Sequence, residues 1–124
     1  MRELATARQL YTKTLGFALE FEERLDAHQV SVCFVNCGNT RLEQLAPLSQ
    51  DIPLARFLTK RGEGLHHLCY QVADLRQSLA AARRLGIELI DSEPRPSACG
   101  CSIAFLAPNL LGGVLTELCQ EGEP

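Results

Sequence analysis

Three histidines, six cysteines and fifteen carboxylate side chains stand in a chain of 124 residues, and only a few occupy positions that demand more than solvent contact. The stretch GEGLHHLCYQV, residues 62–72, sets His66 and His67 side by side at the head of an apolar, strand-like run. Neighbouring strand residues point to opposite faces, so one face carries His66, Leu68, Tyr70 and Val72 and the other Leu65, His67, Cys69 and Gln71. The first is the face a helix would cover. His66 therefore reads as a partly buried structural histidine and His67 as the functional candidate. The same alternation selects two carboxylates: Glu43 in TRLEQLAP, between Leu42 and Gln44, and Glu117 in GVLTELC, with Leu115, Leu118 and Cys119 around it. A charge in the middle of an apolar strand costs several kcal/mol if buried unpaired, so each should face water, a partner or a metal. Imidazole with carboxylates suits a borderline or hard divalent ion, Co²⁺, Mn²⁺, Zn²⁺ or Mg²⁺, with positions left open for water or substrate.

The elements that must position these groups follow from periodicity. LATARQLYTKTL (4–15) spaces Leu4, Ala7, Leu10, Tyr11 and Leu15 as an amphipathic helix that stops at Gly16. Strands are expected at 17–25, where Phe17, Leu19 and Phe21 alternate with Ala18, Glu20 and Glu22, at 29–37 and at 40–46, with a helix over 49–62 that starts near Pro53 and ends at Gly62. The second half repeats this grammar. After the histidine strand, Asp74 can cap a helix that again ends in Leu-Gly, at Leu85-Gly86, and strands follow at 87–90, 102–107 and 114–119, with the proline-rich loop DSEPRPSACGC between the first two. A repeat of this kind implies a duplicated unit, and helices set against mainly antiparallel strands give the α+β class. One domain is the expectation for this length: module one 1–48, a linker helix 49–62 and module two 63–124.

Composition narrows the function. Charged residues make up 22% and the net charge is −3, which gives no general electrostatic reason to bind nucleic acid or an anionic membrane. No stretch reaches the roughly 18–20 apolar residues that a membrane span needs, and the start, MRELATARQLYTKTLGF, has no unbroken apolar core of the secretory kind. The cysteines include no C-x-x-C pair and read as reduced thiols serving as small hydrophobes in a cytoplasmic protein.

FVNCGNTRLEQLAPL, FLTKRGEGLHHLCYQV, RLGIELIDSEPRP and IAFLAPNLLGGVLTELC resemble the methylmalonyl-CoA epimerases of the vicinal oxygen chelate (glyoxalase and bleomycin-resistance) superfamily, over nearly the whole chain. The resemblance implies paired βαβββ modules forming a curled, mixed-sheet half-barrel around one divalent metal. It places metal ligands at Glu43, His67 and Glu117, with Glu117 also close to the reacting carbon. It implies an acyl-CoA substrate, whose phosphates would find cations in Lys60, Arg61 and Arg95. Family members open with a strand of the type HIGIAV that carries a further histidine ligand, and this first strand of module one is expected to be missing, which leaves a site with weaker affinity and more water. His28 lies at a loop-to-strand junction and does not replace it. Two functions are thus expected to compete: a metal-dependent epimerase of methylmalonyl-CoA or a similar 2-substituted acyl-CoA, and a noncatalytic small-molecule-binding protein of the same fold. The sheet edge left open by the absent strand predicts a homodimer.

Overall fold

The computed structural model describes Met1, residues 3–97 and residues 100–122; Cys99, in the expected proline-rich loop, lies outside the described residues. The chain divides into two compact units, Met1–Leu65 and His66–Pro124. The second follows the order of a βαβββ module and the first, among the described residues, that of its αβββ part, so the α+β class holds. No helix among the described residues is long and apolar enough to cross a membrane.

In the first unit, helix α1 (Leu4–Gln9) runs directly into a π-helical turn over Leu10–Thr14, and the chain leaves it through Gly16 at φ +79°. Spacing alone predicts one α-helix over 4–15. The π-turn widens the helix by a residue and rotates the side chains beyond it. Ala7 stays buried while Leu10 and Leu15 turn out to solvent. Strands β1 (Ala18–Leu25), β2 (Val30–Asn36) and β3 (Arg41–Pro47) form an antiparallel sheet in that order. The register of β1 on β2 shifts between Leu19 and Phe21, a bulge at Glu20. Leu19 therefore pairs with Val35 and Phe21 with Phe34, on opposite faces, so the expected row of Phe17, Leu19 and Phe21 is split. Helix α2 (Pro53–Arg61) begins with its proline in the first turn and ends at Gly62. Val32, Cys33, Val35, Ala46, Leu54, Ala55 and Leu58 make up the core of this unit.

In the second unit, β4 (Leu68–Gln71) leads to α3 (Leu75–Arg84), then to β5 (Arg95–Pro96), β6 (Ser102–Leu106) and β7 (Thr116–Gln120). The sheet order is β4-β7-β6-β5, with β4 parallel to β7 and the other pairs antiparallel. Asp74 caps α3 as its position predicts, accepting from the Gln77 amide at 3.1 Å, and the Gln120 side chain accepts from the Leu75 amide at 2.7 Å, which ties the helix start to β7. Leu75, Leu79 and Ala82 of α3 pack on Ala104 and Leu106, with Val72, Ile87, Leu89 and Leu118 at the margin.

Residues 87–90 do not form the expected strand. They run beside β6 but make only an isolated bridge, Leu89 to Leu106. The cause is Asp91: its carboxylate accepts from the Phe105 amide at 2.9 Å, while the Phe105 carbonyl accepts from the amides of both Ile90 and Asp91. A side chain thus takes the place of a ladder bond. The strand next to β6 is instead the two-residue β5, inside the loop whose prolines predict irregular structure; Pro96 is tolerated there because β5 lies at the sheet edge.

Candidate metal centre

Pairing fixes which side chains share a face of the second sheet. Leu118 of β7 lies opposite Ala104 of β6 and beside Tyr70 of β4, all on the α3 side. Glu117 lies opposite Phe105 and beside Cys69, and Cys119 lies opposite Ile103, all on the face turned away from α3. That second face carries the acidic and thiol side chains of the sheet. His66 and His67 precede β4 rather than opening it, yet His67 falls on the same side as Cys69, as alternation predicts. Its Nε2 is 3.3 Å from Oε1 of Glu117, and the two side chains are only 9% and 10% exposed. The expectation that the opposite face packs under the helix holds for Val72 alone. Leu68 and Tyr70 remain 40% and 56% exposed, because α3 lies over β6 and β7 and leaves the β4 edge uncovered.

The imidazole of His67 is held on three sides. Phe105 meets it edge to face with ring centroids 5.4 Å apart. Nδ1 of His66 is 2.9 Å from Nδ1 of His67, so one ring must donate there and the other accept. Burial pushes the pKa of His66 down to about 4, the neighbouring His67 adds to the effect and Glu117 opposes it. A neutral His66 can take either role. When Nε2 of His67 donates to Glu117, Nδ1 of His67 accepts from His66; when Nε2 is free to bind a cation, Nδ1 carries the proton and His66 accepts it, which is the outer-shell support that metal-binding histidines ordinarily have.

Sequence reasoning did not find Asp91 and Phe105 and gave Arg95 a different role. Arg95 of β5 donates to Asp91 at 3.1 Å and lies over the Phe105 ring, 5.6 Å from its centroid, so Asp91, Arg95 and Phe105 form a brace behind His67. Their signal is the register of β5 on β6, which sequence does not print. Arg95 is accordingly engaged within its own unit. Lys60 and Arg61 stand in the exposed last turn of α2 in the first unit, where cations also favour the helix dipole, and Arg61 lies over the Phe57 ring. Glu43 sits in the middle of β3, half-buried and opposite Phe34. It shares that face with Phe34 and Leu45, whereas its neighbour Gln44 is buried on the other face and donates to the Ala7 carbonyl of α1 at 3.3 Å. Glu43 and Glu117 thus hold equivalent places, each in the last strand of its module and on the face turned away from the module's first helix.

Cysteine use differs from a uniform set of buried hydrophobes. Cys33 is fully buried, and that burial, with Glu22 beside it, raises its pKa. Cys69 is exposed, and Cys101 and Cys119 are half-buried. The Cys119 thiol is pushed up to about 11, by burial first and then by the neighbouring Cys101; Glu117 adds to the rise and Cys69 opposes it.

Residues 1–105 match the model of the Glyoxalase/Bleomycin resistance protein/Dioxygenase superfamily. The chain is 40% identical to the uncharacterized protein YqjC of Bacillus subtilis over 92% of its own length and 81% of that relative. It is 39% identical to the mitochondrial methylmalonyl-CoA epimerase of Bos taurus over 95% of its length and 68% of the relative. Among solved structures, a variant of Streptomyces coelicolor methylmalonyl-CoA epimerase in complex with 2-nitronate-propionyl-CoA superposes with a TM-score of 0.92 at 30% identity, covering 99% of this chain and 92% of that one. The match over most of the sequence, joined to a βαβββ-like second module with a buried histidine–glutamate pair on its open face, establishes that the chain belongs to the glyoxalase/bleomycin resistance protein/dioxygenase superfamily, with methylmalonyl-CoA epimerases among its relatives.

Proposed function

We propose that the protein is a metal-dependent epimerase of methylmalonyl-CoA or a similar 2-substituted acyl-CoA, with Glu43, His67 and Glu117 holding the divalent cation. The observation that carries this reading is the His67–Glu117 pair, nearly buried at 3.3 Å, with the imidazole oriented through its other nitrogen. The three residues offer one ligand atom each, a nitrogen and two carboxylate oxygens, a donor set that fits Co²⁺, Mn²⁺, Zn²⁺ or Mg²⁺. The relatives that carry epimerase names, at 39% identity in one case, supply the reaction class.

The chemistry follows from acidity. A proton beside a thioester carbonyl leaves slowly at neutral pH unless negative charge on the carbonyl oxygen is stabilised as it develops. A bound divalent cation supplies that stabilisation as a Lewis acid. Glu117 then has the second task of accepting the C2 proton. Inversion requires return of a proton to the opposite face of C2, so a second donor completes the reaction. Phe105 and the face around it exclude water from the imidazole, and Lys60 and Arg61 meet the phosphates of the coenzyme.

The test is hydrogen–deuterium exchange at C2 of methylmalonyl-CoA in heavy water, with metal content fixed by elemental analysis and Co²⁺ added or withheld. Exchange is expected to need the metal, to fall by at least 10³-fold in Glu117→Gln, and to need about tenfold or more extra Co²⁺ in Glu43→Gln. Lys60→Ala and Arg61→Ala should raise KM with little change in kcat. Noncatalytic binding of a small molecule is the competing reading. Absence of exchange with every metal supports that reading.

A further inference from the structure

Asp91 interrupts regular pairing beside β6 and in exchange anchors Phe105 at two points. The amides of Ile90 and Asp91 both donate to the Phe105 carbonyl, at 2.9 and 3.2 Å, so the reciprocal bond of a regular antiparallel pair does not form. The Phe105 amide donates instead to Oδ2 of Asp91 at 2.9 Å, while Oδ1 accepts from Nε of Arg95 at 3.1 Å. One carboxylate, only 18% exposed, thus holds the Phe105 backbone directly and its ring through the guanidinium that lies 5.6 Å from the ring centroid. Because both main-chain groups of Phe105 turn toward residues 90–91, its pair with Glu117 of β7 is of the kind without hydrogen bonds, in which opposed side chains stand closest. Phe105 therefore sits beside Glu117 and edge to face with His67. We propose that Asp91 is a positioning residue that, through Phe105 and Arg95, fixes the imidazole of His67 with its Nε2 turned to Glu117.

Folding alone does not call for a charge at this place. Residues 87–90, Ile-Glu-Leu-Ile, have strand composition, and an apolar residue at position 91 would let them pair regularly with β6, giving the Phe105 amide a ladder bond with no carboxylate to desolvate. A local rule broken in this way belongs to sites that do work. What the carboxylate supplies is an aromatic ring that cannot slide along the sheet or turn away. An edge-to-face partner at 5.4 Å limits rotation of the imidazole, and with His66 at Nδ1 it leaves Nε2 aimed at Glu117. In the proposed function, on which this inference rests for the identity of the ligand, the same aim presents Nε2 to the cation.

The test is nuclear magnetic resonance of the imidazole rings in the whole, metal-free chain, joined to Co²⁺ titration read by the visible absorption of the ion. Asp91→Ala is expected to shift and broaden the His67 ring signals and to weaken Co²⁺ binding at least tenfold. Asp91→Asn, which keeps an acceptor for the Phe105 amide and loses the charge that holds Arg95, should recover part of both. Phe105→Leu should reproduce the loss with Asp91 in place. Asp74→Ala, a cap variant that lowers stability away from the brace, should leave both readouts unchanged. If the parent chain binds no Co²⁺, the metal reading falls and the ring signals alone decide for or against the brace. Ring signals in Asp91→Ala that match those of the parent, or equal changes in Asp74→Ala, overturn the proposal.

Discussion

His66 shows how one side chain can tune its neighbour, since its Nδ1 lies 2.9 Å from Nδ1 of His67. Its pKa of about 4, against an ordinary 6.5, means that the folded protein resists protonating it while the unfolded chain does not. The folded state then binds fewer protons, so stability is fully present above about pH 6.5 and is lost as the pH falls towards 4, after which the curve flattens. Thermal melting of the metal-free protein should show a falling Tm across that window, and His66→Gln should reduce the slope. That His67 shares a face with Cys69 and Glu117 was legible in the sequence, because alternation needs no partner strand. The reason His67 is held so well was not, since Phe105, Asp91 and Arg95 converge through pairing between segments distant in sequence. Glu43 and Glu117 were legible for a different reason: a lone charge in an apolar strand is conspicuous wherever the strand ends up.

At the scale of elements, local chemistry was the reliable guide. The stops at Gly16, Gly62 and Gly86 all adopt positive φ, which glycine reaches without the Cβ penalty, and the Asp74 cap forms as its spacing demands. Asp74→Ala should cost about 1 kcal/mol, measured by urea unfolding with an unchanged m-value. What sequence could not reveal were departures that depend on a partner strand. The bulge at Glu20 splits an apolar row that looks continuous in one dimension. Residues 87–90 have strand composition, yet the Asp91 carboxylate occupies the amide they would have paired with. The π-turn at Leu10–Thr14 likewise redirects two leucines that helical spacing would bury.

For the molecule as a whole, repetition was readable and completeness of each sheet was not. The first sheet has three strands and the second four, and among the described residues the outer edge of β3 carries no strand; the amino group of Met1 donates to the Leu45 carbonyl there at 2.6 Å. An edge of that length invites pairing, and Leu10, Leu15, Leu19 and Tyr70 add exposed apolar surface. Sedimentation velocity at high micromolar concentration should show a homodimer, and a strictly monomeric species would count against it. The order β4-β7-β6-β5 has a further outcome for biosynthesis. The centre of the second sheet is made last, because β7 comes after every strand it must separate. During translation β4 and β6 wait as bare neighbours, so a ribosome stalled short of residue 116 would hold a nascent module prone to stick to others, and chaperone demand should peak just before the final segment emerges.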